Sequence, residues 1–319
     1  MALVPMKATS GPLPTGPGWV YELKWDGMRV LVDVGPDGVR SWSANGLEAT
    51  ATYPELVALG PALAPIDCVL DGEVVALDAA GRPSFERLQH RMHVASPAEA
   101  ARRARDVPVE LVVFDLVSLG GRDTTGLPWS DRRRLLEGLA PDLPPGVDLA
   151  RVFDDGEALL AACRAAGLEG VMAKRVDARY LPGGRTKAWI KVKVRRQQEV
   201  VVGGWAPGEG NRAGGLGSLL VGYHDAPGTP ELRYAGKVGS GFTAAELTRV
   251  ERLLAPLVRD TSPFTPRPPA LHARGAQWVD PDVVVEVAFG EWTGDGRMRH
   301  PVYLGQRLDV DPAAVVREP

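Results

Sequence analysis

The chain has 319 residues, of which 45% are hydrophobic and 24% charged, and its formal net charge is −3. These values are ordinary for a globular protein with two domains, and no apolar run approaches the ~20 residues that a membrane helix needs. We therefore expect no membrane association and a cytoplasmic location. The slight negative charge argues against a uniformly basic nucleic-acid binder. Two widely separated cysteines, Cys68 and Cys163, indicate core positions rather than disulfides or a zinc site.

The first part of the chain predicts mixed strands and helices. Apolar runs predict strands over 19–34 and 39–43, which form a hairpin, and further strands over 68–77, 110–116 and 167–175. Helical patterns lie near 54–56, over 84–106, at about 130–140 and over 156–166. Because strands and helices do not alternate in a regular βαβ rhythm, the sequence predicts an α+β fold with antiparallel sheets.

The pattern changes after residue 197. Short strands with glycine-rich turns are predicted over 199–205, 217–223, 231–238 and 283–289, and one helix is predicted over 244–257. About five strands and one helix in this length are typical of a small barrel of the oligonucleotide/oligosaccharide-binding (OB) type. We therefore predict two domains, 1–197 and 198–319.

A reactive lysine is suggested by the stretch from Glu22 to Arg29, which reads Glu-Leu-Lys-Trp-Asp-Gly-Met-Arg. A lysine near other cations, or in a desolvated pocket, becomes a nucleophile because its pKa falls from ~10.4. On a strand, Lys24 and Asp26 would project to the same side. On these residues alone, a solvated strand end followed by an Asp-Gly turn is the simpler interpretation.

Several other strands carry charged residues beside glycine. Asp71, Glu73 and Glu169 lie within predicted strands, where an acid costs free energy unless it is paired, exposed or bound to a cation. An edge strand with one wet face is the alternative for each of them. Taken together, these strands indicate convergence on one polyanion and its metal. Phe114 is either a core residue or a platform for a base, since stacking contributes roughly 1–3 kcal/mol.

A basic run without acids spans 185–196. Its cations alternate with apolar residues, which predicts one basic and one buried side; they are Arg185, Lys187, Lys191, Lys193, Arg195 and Arg196. Such a run is usually a solvated face. Lys191 and Lys193 are two residues apart, so they would project from the same side of one strand.

The order of these motifs resembles that of covalent nucleotidyltransferases. Lys24 to Arg29 has the form Lys-x-Asp-Gly-x-Arg. The other matching segments are Ser43-Ala44-Asn45-Gly46, Leu70-Asp71-Gly72-Glu73, Phe114-Asp115, residues 168–175 and Trp189-Ile190-Lys191-Val192-Lys193. Residues 291–296 and 299–305 further resemble the C-terminal signature of bacterial ATP-dependent DNA ligases. The chain is therefore similar to minimal repair ligases, or to the ligase domain of bacterial end-joining enzymes.

The resemblance implies a site that uses ATP and Mg²⁺ or Mn²⁺, with Lys24 as the nucleophile that becomes lysyl-AMP. Lys191 and Lys193 would face the α-phosphate and help to lower the pKa of Lys24. The metal and ribose contacts implied by the resemblance are Asp26, Glu73 and Glu169, and Lys174 would contact phosphate. Phe114 would stack on adenine, and Glu22 would accept a hydrogen bond from the exocyclic amine of adenine. Arg29 would hold the ribose or the nick phosphate. In the C-terminal domain, Arg299 and Arg307 are implied to contact the pyrophosphate when this domain closes over ATP. Implied DNA contacts are Arg40, Asn45, Arg185, Arg195 and Arg196.

The implied substrate is nicked duplex DNA, with end-joining proteins as further partners and a monomeric enzyme. Residues 197–199 are the expected hinge for closure of the C-terminal domain. The chain departs from the family pattern at Ala44, where an arginine commonly touches the 5′-phosphate, and at Val310, where a lysine is common. Alternatives are an RNA ligase, a capping-type guanylyltransferase, or a catalytically weak DNA-binding relative.

Overall fold

The computed structural model describes residues 4–63, 65–92, 94, 96–194, 196–208 and 215–318. The chain divides into two compact units, Met1–Val194 and Arg195–Pro319. The strands of the first unit are β1 Lys7–Ser10, β2 Trp19–Lys24, β3 Met28–Gly35, β4 Gly38–Ser43, β5 Cys68–Val75, β6 Glu110–Leu119, β7 Arg122–Asp123, β8 Val147–Leu149, β9 Gly170–Arg175 and β10 Arg185–Lys193. Its α-helices are α1 Leu59–Leu63, α2 Phe85–Gln89, α3 Pro97–Asp106, α4 Trp129–Gly138 and α5 Gly156–Ala166.

The first unit contains two sheets. The first sheet has the strand order β1-β10-β9-β2, and the second has the order β4-β3-β5-β6-β7 with β8 beside β6. Apart from the parallel pairs β1–β10 and β6–β8, neighbouring strands are antiparallel. The predicted α+β class is therefore confirmed. The hairpin prediction is correct only for β3 and β4, because β2 belongs to the other sheet. Residues 25–27 thus connect the two sheets.

Helix α5 covers one face of the first sheet. The Asp155 side chain caps its start by accepting a hydrogen bond from the Ala158 amide at 2.9 Å, and Gly167 ends it in the left-handed conformation (φ 69°). Leu160 and Cys163 of this helix pack into a cluster with residues of β2, β9 and β10. This face is therefore apolar, and the polar residues of the same strands project from the other face.

A second cluster lies between the two sheets. It combines first-sheet residues such as Trp189 with second-sheet residues such as Leu31, and it includes Met6 and Tyr180 from the segments beside β1 and β10. The charged face of the first sheet therefore borders the second sheet within one compact unit.

Of the helices predicted in the first unit, one is interrupted and another is found as predicted. The helix predicted over 84–106 is interrupted, because α2 ends at Gln89 and α3 begins at Pro97, whose missing N–H suits a first helical turn. The helix predicted over 156–166 is confirmed by α5.

The second unit is built mainly from strands. They are β11 Gln197–Pro207, β12 Leu216–His224, β13 Leu232–Val238, β14 Val258–Arg259, β15 Gln277–Ala288 and β16 Val302–Arg307, with helices α6 Ala244–Leu254 and α7 Ala270–Ala273. Strands β13, β12, β11 and β15 are adjacent in that order, and β16 pairs with β15. A parallel bridge between Ser240 and Val302 connects the end of β13 to β16. This ring of five strands with a helix between the third and fourth confirms the predicted OB-type barrel. Strand β16 was not predicted.

Candidate active site

One face of the first sheet gathers most of the charged residues that the sequence singled out. In the register of the sheet, Lys24 of β2 lies opposite Gly170 of β9, which lies opposite Lys193 of β10. Glu22 and Lys191 occupy the next row across the same three strands. Directly opposed residues of antiparallel strands project from the same face. Lys24, Glu22, Lys191 and Lys193 therefore share one face, with glycine between the two lysines of the first row.

Two glycines allow close backbone approach around the candidate site, Gly170 within the first sheet and Gly27 between the two sheets. A Cβ atom on Gly170 would lie 2.0 Å from the carbonyl oxygen of Val192. A Cβ atom on Gly27 would lie 2.2 Å from the carbonyl oxygen of Val74 and 2.9 Å from Cγ of Glu73. Both positions exclude any larger residue. The loop after Lys24 is consequently held against the strand that carries Glu73.

The candidate nucleophile is ion-paired. Nζ of Lys24 contacts Oε1 of Glu169, and the two side chains are 19% and 5% exposed. The Glu169 carbonyl accepts a hydrogen bond from the Val194 amide at 2.8 Å, which fixes the start of β9 against the end of β10. Strand β2 ends at Lys24, so the prediction that Lys24 and Asp26 project from one strand is wrong.

A second ion pair is almost fully buried. Nζ of Lys174 lies 2.7 Å from Oε2 of Glu22, and the side chains are 1% and 3% exposed. Nζ also donates to the Phe114 carbonyl at 3.2 Å and lies 4.6 Å and 4.3 Å from the rings of Phe114 and Trp189. Burial raises the pKa of Glu22, although Lys174 opposes this effect. Lys174 therefore links both sheets at the predicted nucleotide pocket.

Arg29 is fixed by a bidentate ion pair. Its Nε and Nη2 donate to the two carboxylate oxygens of Asp71 at 2.9 Å and 2.6 Å. Burial disfavours the charge, but Asp71 raises the pKa of Arg29 above its ordinary value. The guanidinium lies 5.4 Å from the Phe114 ring. The sequence marked Asp71 as an acid in need of a partner, yet only the tertiary structure identifies Arg29.

Two predicted DNA contacts lie near the end of β4. Arg40 is exposed, and its guanidinium lies 5.1 Å from the ring centre of Trp42. Asn45 is exposed on the following turn, where its side-chain oxygen accepts a hydrogen bond from the hydroxyl of Ser43. Both are accessible to a ligand, and their role in DNA binding stays a prediction.

The other predicted DNA contacts come from the basic run. Arg185 is exposed and donates to the carbonyl of Ala8 at 2.7 Å. Arg196 is exposed at the start of the second unit, and Arg195 lies outside the described residues. Their contacts with DNA also stay predictions.

The two arginines predicted to contact pyrophosphate differ in their surroundings. Arg299 is exposed and donates to Glu291 at 2.9 Å. Arg307 donates to both carboxylate oxygens of Asp309, at 2.9 Å and 2.7 Å, and to Glu286 at 3.1 Å. The Arg307 side chain is only 13% exposed. A ligand at Arg307 must therefore compete with two carboxylates, whereas Arg299 is available at the surface.

The hinge and the Val310 departure also fall in the second unit. Gln197 begins β11, and its side chain donates to Glu286 at 3.1 Å. Val310 packs against the apolar core of the barrel. The hinge role of residues 197–199 stays a prediction.

The predicted metal ligands are not gathered in advance. Glu73 lies on β5, Glu169 precedes β9 and pairs with Lys24, and Asp26 lies in the segment that joins the sheets. Within the described ranges, no group of three histidine, cysteine or acidic side chains is placed to hold a metal ion. Carboxylates nevertheless suit Mg²⁺, which usually keeps water and substrate phosphates among its ligands. The donor chemistry fits such a shared ion rather than a cage built by protein alone.

The mixed two-sheet unit, its lysine-rich face and the following OB-type barrel are the features of a covalent nucleotidyltransferase. Comparison with known sequences agrees: the ATP dependent DNA ligase domain matches residues 6–193, and the ATP dependent DNA ligase C terminal region matches residues 212–310. The chain belongs to the ATP-dependent DNA ligase family.

Similar proteins include the multifunctional non-homologous end joining protein LigD of Mycobacterium bovis, which is 44% identical over 325 residues, or 99% of this chain and 40% of LigD. LigD of Pseudomonas aeruginosa is 37% identical over 94% of this chain and 35% of its own length. This chain thus spans about two fifths of these relatives or less. Across the described ranges, every helix is too short or too polar to cross a bilayer.

Solved structures of DNA ligase D are also similar to this chain. Mycobacterial DNA ligase D complexed with ATP and MES is 43% identical, with a TM-score of 0.70 over 99% of this chain and 98% of that one. The ligase domain of M. tuberculosis LigD is also 43% identical, with a TM-score of 0.55 and the same coverage.

Proposed function

We propose that this chain seals nicks in duplex DNA through a lysyl-AMP intermediate on Lys24. The observation that carries the proposal is the row formed by Lys24, Gly170 and Lys193 on one sheet face, with Lys191 in the next row. Cations beside the nucleophile are suited to a phosphate that gains charge during attack. Gly170 between them lets β9 and β10 approach closely, because a Cβ atom there would lie 2.0 Å from the Val192 carbonyl oxygen.

The reaction has three transfers. First, Nζ of Lys24 attacks the α-phosphorus of ATP, so that an N–P bond forms and pyrophosphate leaves. Next, a 5′-phosphate oxygen at the nick attacks the same phosphorus, giving an AMP-capped DNA end and freeing the lysine. Finally, the 3′-hydroxyl attacks the capped phosphate, and AMP leaves as the phosphodiester bond forms.

The first transfer requires a free amine on Lys24. The ion pair of Lys24 with Glu169 must therefore open, and the Lys24 ammonium must lose a proton before attack. Glu169, Glu73 and Asp26 would hold Mg²⁺ or Mn²⁺ together with the ATP phosphates. Such an ion, when bound, supplies Lewis-acid stabilisation of the phosphate charge.

Adenine recognition is supported by the buried pair. Oε1 of Glu22 is buried and has no hydrogen-bond partner among the described residues. A buried acceptor of this kind favours a ligand that donates, as the exocyclic amine of adenine does. Guanine presents a carbonyl at the equivalent position, so GTP should be rejected. Phe114 offers a ring for stacking, with Lys174 beside it.

The proposed setting is DNA end joining, because the LigD proteins of Mycobacterium bovis and Pseudomonas aeruginosa, to which the chain is similar, are end-joining proteins. In this setting the chain acts as a monomer in the cytoplasm, with nicked duplex DNA and end-joining proteins as partners. Arg40, Asn45, Arg185 and Arg196 would contact the duplex, and Arg299 the departing pyrophosphate.

The test uses ATP labelled at the α-phosphate, followed by a nicked duplex. The wild-type chain should form an acid-labile AMP adduct and then seal the nick, while Lys24→Ala should do neither. Lys187→Ala is the matched control, because Lys187 is an exposed lysine of β10 outside the proposed site. Label transfer from GTP, sealing restricted to RNA, or an equal adduct on Lys24→Ala would contradict the proposal.

A further inference from the structure

Tyr180 lies outside every motif that the sequence pointed to, yet it is buried beside Arg29. Its hydroxyl donates to Oδ2 of Asp71 at 2.6 Å and accepts from the Met6 amide at 3.2 Å. The side chain is 2% exposed. Burial and Asp71 both raise the pKa of Tyr180 above its ordinary value, so the hydroxyl stays protonated and can donate. A hydroxyl in this position connects the partner of Arg29 to the N-terminal segment.

The same segment contacts Arg29 directly. Nη1 of Arg29 donates to the Met6 carbonyl at 2.6 Å. Met6 is fully buried, and its sulfur accepts from the Leu181 amide at 3.1 Å. The backbone near Met6 is hydrogen-bonded to the turn before β10, because the Lys7 amide donates to the Gly184 carbonyl at 2.8 Å. Met6 is thus held from three directions while its carbonyl holds the guanidinium.

We propose that Tyr180 and Met6 are positioning residues that fix the Arg29 guanidinium at the nucleotide pocket. A free arginine side chain loses rotamer entropy when it binds, and a guanidinium that is already held in place loses less of it on binding phosphate or ribose. Asp71 accepts from two nitrogens of the guanidinium, and the Met6 carbonyl accepts from the third. The Tyr180 hydroxyl bonds to both of these residues and also accepts from Nη2 of Arg29 at 3.5 Å. The inference rests on the proposed function, because it assigns a purpose to Arg29.

A purely structural role for Tyr180 is the competing explanation. Its ring packs edge-on against Trp189 at 6.1 Å, and the Arg132 guanidinium lies 5.7 Å from it. These ring contacts would survive in Tyr180→Phe. That substitution removes only the hydroxyl, so the Met6 amide, one carboxylate oxygen of Asp71 and Nη2 of Arg29 each lose this partner. The variant therefore separates positioning from packing.

The experiment is a double-mutant cycle of Tyr180→Phe and Arg29→Lys, measured on the full chain. Single-turnover formation of the AMP adduct is followed over a range of ATP concentrations, and sealing is followed with a pre-adenylated nick. Arg29→Lys should slow one of these steps, and Tyr180→Phe should slow the same step. The effect of Tyr180→Phe should be about tenfold or more, as expected for loss of a hydrogen bond to a charged group. Tyr180→Phe should have less than a twofold effect in the Arg29→Lys background. Tyr234→Phe, which removes another buried tyrosine hydroxyl, should match the wild type.

The outcomes are distinct. If Tyr180→Phe slows every step equally, acts by the same factor in both backgrounds, or stays within twofold of the wild type, the positioning role is wrong. Should Tyr180→Phe fail to fold, Asp71→Asn takes its place in the cycle with the same expectation. A wild-type chain that forms no AMP adduct would instead refute the proposed function.

Discussion

Replacing Lys174 by methionine tests the buried pair at the nucleotide pocket. Lys174→Met keeps the length and most of the volume of the side chain but removes the ammonium that lies 2.7 Å from Glu22. The Phe114 carbonyl also loses its donor. Removing one partner of a buried ion pair typically costs about 3–5 kcal/mol, because the other charge stays buried without compensation. The first unit should therefore be destabilised by this amount near neutral pH.

The loss should depend on pH in a defined direction. The pKa of Glu22 is already raised above its ordinary value of 4.5 by burial, against the opposing effects of Lys174 and Arg133. Without Lys174, that pKa rises further. The folded state then binds more protons than the unfolded state, so stability falls as pH rises from about 4.5 through the folded-state pKa. The deficit of Lys174→Met should thus be small near pH 5 and complete near pH 8.

Amide hydrogen exchange measures the loss of stability separately in each of the two units of the protein. In peptides covering β2 and β9, Lys174→Met should exchange roughly 10²- to 10⁴-fold faster than the wild type at pH 8, and less than tenfold faster at pH 5. A double variant with Glu22→Gln should recover most of the loss, since neither charge remains. Equal ratios at both pH values, or protection equal to the wild type at pH 8, would refute the reasoning.

Three further outcomes are expected. Lys191→Ala should slow AMP-adduct formation by about 10²-fold, as loss of one transition-state cation does, whereas Lys187→Ala should not; equal rates for the two variants in single-turnover assays would contradict this. Gly170→Ala should lower the Tm of the first unit and the yield of soluble protein, because its Cβ would lie 2.0 Å from the Val192 carbonyl; calorimetry showing a wild-type Tm would disprove the steric argument. Ala44→Arg should tighten binding to a nick with a 5′-phosphate, by about tenfold at low salt, but not to one with a 5′-hydroxyl; equal gains on both would show a nonspecific charge effect.

Local spacing was sufficient for part of the site. Lys191 and Lys193 are two residues apart, and both project from one face of β10 as the period of a strand requires. Helix α5 could be placed from its apolar residues between Asp155 and Gly167, because a capping acid and a left-handed glycine act within one helical turn. The motif order, through its resemblance to the family, also predicts Lys24 as the nucleophile, although its immediate neighbours alone do not.

Only the tertiary structure decided which of these residues meet. The ion pairs of Lys24 with Glu169, Glu22 with Lys174 and Arg29 with Asp71 join residues far apart in the chain. Strand pairing sets them, and the chain passes between two sheets directly after Lys24, a crossing that no local pattern revealed. Tyr180 carried no signal at all, because its role depends on a hydroxyl that reaches partners brought close by folding. The sequence by itself therefore determined the residue types and their alternation along each strand, since these follow from backbone geometry. The pairing partners, burial and charge balance of the site are long-range properties, and they arose only when the two sheets packed together.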